Sequence, residues 1–336
     1  MIKKKVFLLL SVFLVAPFLN ISVNAQGAVG VEDIVGSTNF IVSPSVPRPN
    51  QEVRVIVEGS GIDLNNALLT WSVNGQVIKS GRGEKSISFV SGEIGSNSLV
   101  RLVIVSEGKT YNKSVVVTPG SVDILWQGNS YTPPFYKGRS LWSTRGEIIF
   151  TAIPNVIGSN GSKLDPRQLT YKWVRNGTAE GSLSGYGRNS YRFSESGLSF
   201  GQVIRVDVYD GEKLVGRSSI NLRPSFPKNL IYENNPLLGY LFQNEISNNF
   251  ILKNEEVTFG AFPYFFSATS KDDPLISYRW KINDTSNIQI GNQVTFRAPE
   301  NSKGKSLIVL TTKHLERISQ SASKDFLVQF GDEKNF

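Results

Sequence analysis

One short pattern occurs three times and constrains the fold of this chain more than any other feature. It reads Leu69-Thr70-Trp71-Ser72-Val73-Asn74-Gly75, Tyr171-Lys172-Trp173-Val174-Arg175-Asn176-Gly177 and Tyr278-Arg279-Trp280-Lys281-Ile282-Asn283-Asp284. In a strand, residues two apart share a face. Leu69, Trp71 and Val73 therefore lie together, as do Tyr171 and Trp173, and Tyr278, Trp280 and Ile282, with Thr70, Ser72, Lys172, Arg279 and Lys281 on the opposite face. Each copy reads as a half-buried strand running into a turn, because Asn-Gly or Asn-Asp tolerates the positive φ values of a two-residue hairpin. Three such units predict a repeat array of β modules.

The length agrees. A chain of 336 residues exceeds one ordinary sandwich and suits about three domains of roughly 100 residues each. With 40% hydrophobic and 19% charged residues, the chain can fill several small cores. The absence of cysteine rules out disulfides, thiolate metal sites and thiol chemistry, and it suits a bacterial exported protein better than a eukaryotic extracellular array.

Export is written at the N-terminus. Lys3-Lys4-Lys5 precedes an apolar run from Val6 to Leu19 and a polar stretch ending Val23-Asn24-Ala25, the three-part form of a signal peptide. The run is shorter than the roughly 20 residues of a spanning helix, Pro17 interrupts it, and cleavage is expected after Ala25. A secreted, cell-surface or periplasmic location follows, with membrane contact only through the signal segment before cleavage. The formal net charge is +8, of which three units belong to those lysines, so 8 − 3 = +5 remains in the mature chain. Its Lys and Arg are spread along strands and turns, not gathered on one face, which argues against nucleic-acid binding.

Taken in order, the chain divides into a signal peptide (1–25), a glycine-bearing leader (26–39) and sandwich domains at 40–119, 120–223 and 224–332. Pro44, Pro47 and Pro49 mark an edge strand. Further strands are expected at 52–58, 68–73, 86–90, 99–105 and 110–117, then at 147–154, 171–174, 203–209 and 214–222. The second and third modules are the closer relatives: Glu147-Ile148-Ile149-Phe150-Thr151-Ala152-Ile153-Pro154 and Glu256-Val257-Thr258-Phe259-Gly260-Ala261-Phe262-Pro263 share Glu-x-x-Phe-x-Ala-x-Pro. Pro119-Gly120 and Arg223-Pro224 are short connections that favour a semi-rigid rod.

The Tyr-x-Trp strand with its Asn turn, the early strand opened by Glu, and the late Val-x-Val hairpin resemble the PKD and immunoglobulin-like repeats of bacterial exported proteins. The resemblance implies sandwich folds and roles as spacers, adhesive stalks or accessory parts of surface structures. The Trp-x-Phe-Gly-Asp-Gly loop of PKD modules is absent, since Trp173 is followed by Val174-Arg175-Asn176-Gly177.

Residues that carry chemistry are few. The single histidine, His314, aligns with the turn Ser106-Glu107-Gly108-Lys109 and is expected to be exposed and inert, without a nucleophile motif to serve. Asp207/Asp210, Asp272/Asp273 and Glu255/Glu256 sit beside turns or strand starts, where acids solvate and cap. Asp63 and Asp272-Asp273 lie in no Asp-x-Asp-x-Asp-Gly calcium loop. No catalytic residue, cofactor or metal is expected. The most suggestive stretch runs from Tyr131 to Trp142, where Tyr131, Phe135, Tyr136 and Trp142 stand beside prolines as a candidate ligand surface for sugar rings or an extended peptide. The structural alternative has Phe135 and Trp142 covering the end of their sandwich against the first domain, with Phe262-Pro263-Tyr264-Phe265-Phe266 playing a matching part in the third. The reading is a non-catalytic structural or adhesive component of the cell surface or an extracellular appendage, with surface proteins or cell-wall polysaccharide as partners. A glycan-binding protein using loop 131–142 and a carboxylate-dependent glycoside hydrolase are the alternatives.

Overall fold

A computed structural model describes residues 32–33, 38–158, 160–194, 201–283 and 288–331. The expected signal peptide and most of the expected leader lie outside them. The chain is all-β: no α-helix occurs among the described residues, and only two 3-10 turns, Pro166–Gln168 and Gly181–Leu183, interrupt the strands. No helix among them is long and apolar enough to cross a membrane.

The N-terminal strands are β1 (Glu32–Asp33), β2 (Thr38–Ser43), β3 (Glu52–Gly59), β4 (Leu68–Val73), β5 (Gln76–Arg82), β6 (Ser86–Val90), β7 (Ser98–Ser106) and β8 (Lys109–Val117). The sheet β2-β3-β6 packs against β1-β8-β7-β4-β5. The middle strands are β9 (Ser121–Asn129), β10 (Glu147–Asn155), β11 (Thr170–Arg175), β12 (Thr178–Ala179), β13 (Gly185–Tyr186), β14 (Ser190–Ser194), β15 (Gln202–Asp210) and β16 (Lys213–Leu222). Here β14-β10-β9 packs against β12-β11-β15-β16, with β13 paired to β11. The C-terminal strands are β17 (Lys228–Asn235), β18 (Gly239–Glu245), β19 (Asn249–Ile251), β20 (Glu256–Tyr264), β21 (Ile276–Ile282), β22 (Ile288–Ile290), β23 (Gln293–Arg297), β24 (Gly304–His314) and β25 (Ser321–Phe330). The sheet β18-β17-β20-β23 packs against β19-β25-β24-β21-β22.

The period-two alternation of the sequence becomes the burial pattern. In β3, Val53, Val55 and Val57 are buried and Glu52, Arg54 and Glu58 are exposed; in β7, Val100, Leu102 and Ile104 are buried between exposed Leu99, Arg101 and Val105. Each pair of sheets closes over its own core, and each core is centred on one of the repeated tryptophans, since Trp71, Trp173 and Trp280 have no exposed surface. Their indole N–H groups are spent in the same way. Trp71 Nε1 donates to Glu84 O at 2.7 Å, Trp173 to Arg188 O at 3.0 Å and Trp280 to Gly291 O at 2.9 Å. Each acceptor lies two residues before the first residue of a strand of the opposite sheet, β6, β14 or β23. The tryptophan thus fills the core and ties the two sheets together, and its one buried donor is satisfied.

The turn asparagine does more than turn. Asn74 and Gly75 have φ of 52° and 85°, and Asn176 and Gly177 have 49° and 86°, as a type I′ hairpin requires. The backbone N–H of Asn74, Asn176 and Asn283 donates to the carbonyl of Leu99, Val203 and Leu307 at 2.9, 2.9 and 2.7 Å. In return, each asparagine Oδ1 accepts from the backbone N–H of the same residue at 2.8 Å. All three hairpin ends are clamped in this way to the start of the neighbouring strand, which carries the hairpin through the sandwich.

Three expectations need correction. The first sandwich begins at Thr38, inside the segment read as leader, and Glu32–Asp33 pairs in parallel with Tyr111 and Asn112 of β8. The same device recurs where Asn249–Ile251 pairs in parallel with β25. Asp207 is not a turn acid: it lies within β15, 2% exposed, directly opposite Arg217 of β16. The guanidinium grips it with Nε at 2.6 Å and Nη2 at 3.0 Å, a two-pronged bond that lets a charged group be buried. His314 is not exposed but 3% accessible at the end of β24. Its Nδ1 accepts from the backbone N–H groups of Glu316 and Arg317 at 3.1 and 3.2 Å, which leaves Nε2 to donate to Ser267 O at 3.0 Å. The sequence alignment of hairpins placed it one turn too far out, because β24 runs on to His314 and pairs it with Ile276.

Candidate functional site

The loop from Asn129 to Glu147 is built to leave its own sandwich. Gly128 starts it, in a place with no room for a side chain: a Cβ there would stand 2.3 Å from Leu141 O and 2.6 Å from Trp142 N. This close approach lets Gly128 N donate to Ser140 O at 3.0 Å, and the Ser130 and Ser140 hydroxyls bond to each other and to Leu141 O and Ser130 O. The loop base is thereby closed and residues 131–139 project as a unit.

That unit lands on the C-terminal sandwich. Tyr131 N donates to Phe266 O at 2.8 Å, and Phe265 N donates to Tyr131 O at 2.9 Å. Phe265 holds φ of +61° to make this pairing, a left-handed conformation that a bulky residue rarely adopts. Phe135 packs on Tyr232, Phe242 and Phe262 with ring centroids 5.7, 4.0 and 5.8 Å away. Tyr136 meets Tyr264 and Phe265 edge-on at 5.6 and 5.9 Å. The rings Tyr232, Phe262, Tyr264 and Phe265 form a separate buried cluster with Phe135, Tyr136 and Leu141 against it. The loop therefore packs on the third sandwich and not on the first, and the two aromatic clusters seen in the sequence are the two sides of one interface. Burial of those rings pushes the hydroxyl pKa of Tyr264 and Tyr232 above the ordinary tyrosine value.

A buried polar link runs beside it. Gln320, with no exposed surface, donates from Nε2 to Thr144 O of the middle sandwich at 2.8 Å and to Ser267 Oγ at 2.9 Å, while its Oε1 accepts from Ser267 N at 2.8 Å. Ser225 N donates to Trp142 O at 2.7 Å. At the other junction, Gly120 N donates to Pro47 O at 3.0 Å and Arg217 Nη1 reaches Ser45 Oγ at 3.4 Å.

The four residues singled out in the sequence do not form one face. Trp142 is 1% exposed in the middle core, with Nε1 donating to Gly146 O at 3.1 Å, and so belongs to no surface. Tyr136 is wedged in the interface. Tyr131 and Phe135 line a groove of about 890 Å³ between the sandwiches, with Tyr240, Phe242 and Phe262 along one wall and Thr269 to Asp272 along another. The hydroxyl pKa of Tyr131 is raised by burial and by the charge of Asp272. Tyr240 and Phe242 on β18 went unnoticed in the sequence, where the segment 239–245 carries no repeat of a recognised pattern; Tyr240 alternating with Phe242 was the available signal.

The acids expected to solvate or cap do varied structural work. Asp273 accepts from Thr269 N, Thr269 Oγ1 and Leu275 N, and those bonds hold its carboxyl below the usual range. Asp63 is lowered in the same way by Asn66 and Asn65. Glu256 receives Arg297 at 2.6 and 3.0 Å. Among the described residues no three His, Asp or Glu side chains gather as a metal site would need.

No family model and no curated protein matches the chain. Solved structures similar to it include the three N-terminal domains of the bacteriophage RB49 Highly Immunogenic Outer Capsid protein, 10% identical over 89% of this chain and 99% of that one, with a TM-score of 0.25. The central fibronectin-III array of RIM-binding protein is 10% identical over 90% and 99%, with a TM-score of 0.31. Fibronectin(III)-like modules of Clostridium thermocellum CbhA are 12% identical over 56% and 94%, with a TM-score of 0.26. The strand pairing of the chain itself shows an all-β class of repeated sandwiches.

Proposed function

We propose that this chain is an exported, non-catalytic protein of three tandem immunoglobulin-like domains that acts as a structural or adhesive component of the cell surface or of an extracellular appendage. Its partners are other surface proteins or cell-wall polysaccharide, with no nucleic acid. Contact with the membrane ends when the signal segment is cut after Ala25. The observation that carries the reading is the junction at Gln320: a buried amide there bonds to two sandwiches at once, beside an aromatic interface. A junction of that kind transmits position and force from one module to the next, which a stalk or scaffold needs. Of the acids singled out in the sequence, Asp207, Asp273 and Glu256 are engaged in the bonds described above, which favours the scaffold over a carboxylate-dependent hydrolase.

Fractionation of the producing cells, with the mass and N-terminal sequence of the recovered protein, tests this. A chain beginning at Gln26 in the surface or extracellular fraction is expected. An uncut chain retained in the cytoplasm overturns the reading.

A further inference from the structure

We infer that the groove between loop 127–140 and β18 binds a neutral carbohydrate chain, with Phe242 as its platform; this assignment rests on the adhesive half of the reading above. Phe242 is 40% exposed, yet its ring is hemmed in by four others. Phe135 lies 4.0 Å away, Phe262 5.2 Å, Tyr232 5.3 Å and Tyr240 5.7 Å. Exposed aromatic side chains held this firmly lose little freedom when a ligand arrives, and a fixed ring face suits the apolar C–H surface of a pyranose.

Its neighbour Tyr240 is fixed as well. Gly260 lies beneath it, where a Cβ would come within 2.2 Å of Tyr240 Cε1, so only glycine lets that ring rest on the sheet. Gln293 Nε2 donates to the Tyr240 hydroxyl at 2.6 Å.

The rest of the lining is polar but electrically quiet. Among the described lining residues Lys271 is the one cation, and its ammonium is paired with Asp272 at 3.2 Å; Asp272 also accepts from Asn292. Gln127 and Thr132 have no side-chain hydrogen-bond partner among the described residues and stand ready for hydroxyl groups. A polyanion would have to break the Lys271–Asp272 pair to find a countercharge, whereas an uncharged polyol would not. The volume of about 890 Å³ falls in the range of roughly 300–1,000 Å³ usual for small-ligand sites and fits a few sugar units. The runner-up occupant is an extended peptide, which would add to β18, the outermost strand of its sheet.

The test is affinity electrophoresis of the mature chain through gels that each contain one soluble neutral polysaccharide: a β-glucan, a xylan, a mannan or a dextran. Retardation by at least one is expected, with at least a tenfold loss of affinity in F242A and F242L and none in Y186A, whose side chain is exposed elsewhere. F242L keeps apolar bulk without the ring and guards against a folding defect in F242A; thermal melts of both confirm the fold. Lack of retardation by all four polymers overturns the proposal, as does retardation that survives both Phe242 variants. Capture of extended peptides alone, lost in F242L, gives the groove to peptide and also overturns it. None of these outcomes alters where fractionation finds the protein, so the surface reading and the groove reading fail separately.

Discussion

Trp173 shows what one residue contributes to this array. It is fully buried, stacks on Tyr191 at 5.4 Å and ties its two sheets through Arg188 O. Trp173→Ala should cost about 3–5 kcal/mol, as large-to-small aromatic core changes do, read as a lowered midpoint in denaturant unfolding. Asn176 separates two roles that share one side chain. Asn176→Gly keeps the positive φ but removes the acceptor from Val203 N, at a cost of about 1 kcal/mol for a lost hydrogen bond. Asn176→Ala loses the acceptor and adds a left-handed penalty of about 1–2 kcal/mol, so equilibrium unfolding should rank alanine below glycine. The turn was legible in the sequence because Asn-Gly has a known backbone preference. The clamp was not, because its partners Leu99, Val203 and Leu307 lie some two dozen residues downstream, in strands whose register the sequence does not announce. The buried tyrosines set a limit in alkali. Burial raises the hydroxyl pKa of Tyr171 and of Tyr191 to about 12, above the ordinary value near 10. A folded-state pKa above the unfolded one contributes stability that is complete below about pH 10 and is lost as pH rises through about 12. Melting temperature should therefore hold up to about pH 10 and then fall, and Tyr171→Phe should make the fall shallower.

At the scale of elements, the strands expected from period-two alternation are present within a residue or two of their predicted ends, from β3 to β20. Alternation is a local property that survives in any sandwich. What the pattern could not show is where an irregular segment goes after leaving its sheet. Loop 129–147 reads as an aromatic surface because Tyr131, Phe135, Tyr136 and Trp142 cluster in sequence, but Tyr131, Phe135 and Tyr136 are placed by residues of the C-terminal sandwich while Trp142 turns back into the middle core. Gly128→Ala tests that the close approach organises the loop. Its Cβ would collide with backbone atoms, and overpacking of this kind costs about 1–3 kcal/mol. The variant should melt earlier and should free Tyr136 from Tyr264, which near-ultraviolet circular dichroism will register as lost aromatic signal.

Across the whole molecule the two junctions are unequal. The second combines an aromatic cluster, paired backbone at Tyr131 and the buried amide of Gln320; the first has Gly120 N on Pro47 O, a long Arg217–Ser45 bond at 3.4 Å and an exposed Arg48–Asp123 contact at 4.0 Å, a type of pair worth little in water. Cooperative units follow packing. Scanning calorimetry should show the middle and C-terminal sandwiches melting in one transition and the N-terminal sandwich in another. Gln320→Ala leaves Thr144 O and the Ser267 groups without their buried partner, at about 1–3 kcal/mol, and should split the shared transition in two. Short proline-bearing linkers in the sequence favour a semi-rigid rod; the difference between the joints arises from side chains that only the folded chain brings together.

The clamped hairpin ends also bear on how this protein ages. An asparagine followed by glycine is the peptide sequence most prone to lose its amide, through attack of the glycine nitrogen on the asparagine side-chain carbonyl. Asn74 and Asn176 stand in that sequence, but their Oδ1 atoms are held by Leu99 N and Val203 N, which restrains the side-chain rotation that the attack requires. Chemical wear at these two turns should be slow while the sandwiches stay folded and fast once they open, so peptide mass analysis of aged samples would record how long each module has spent unfolded.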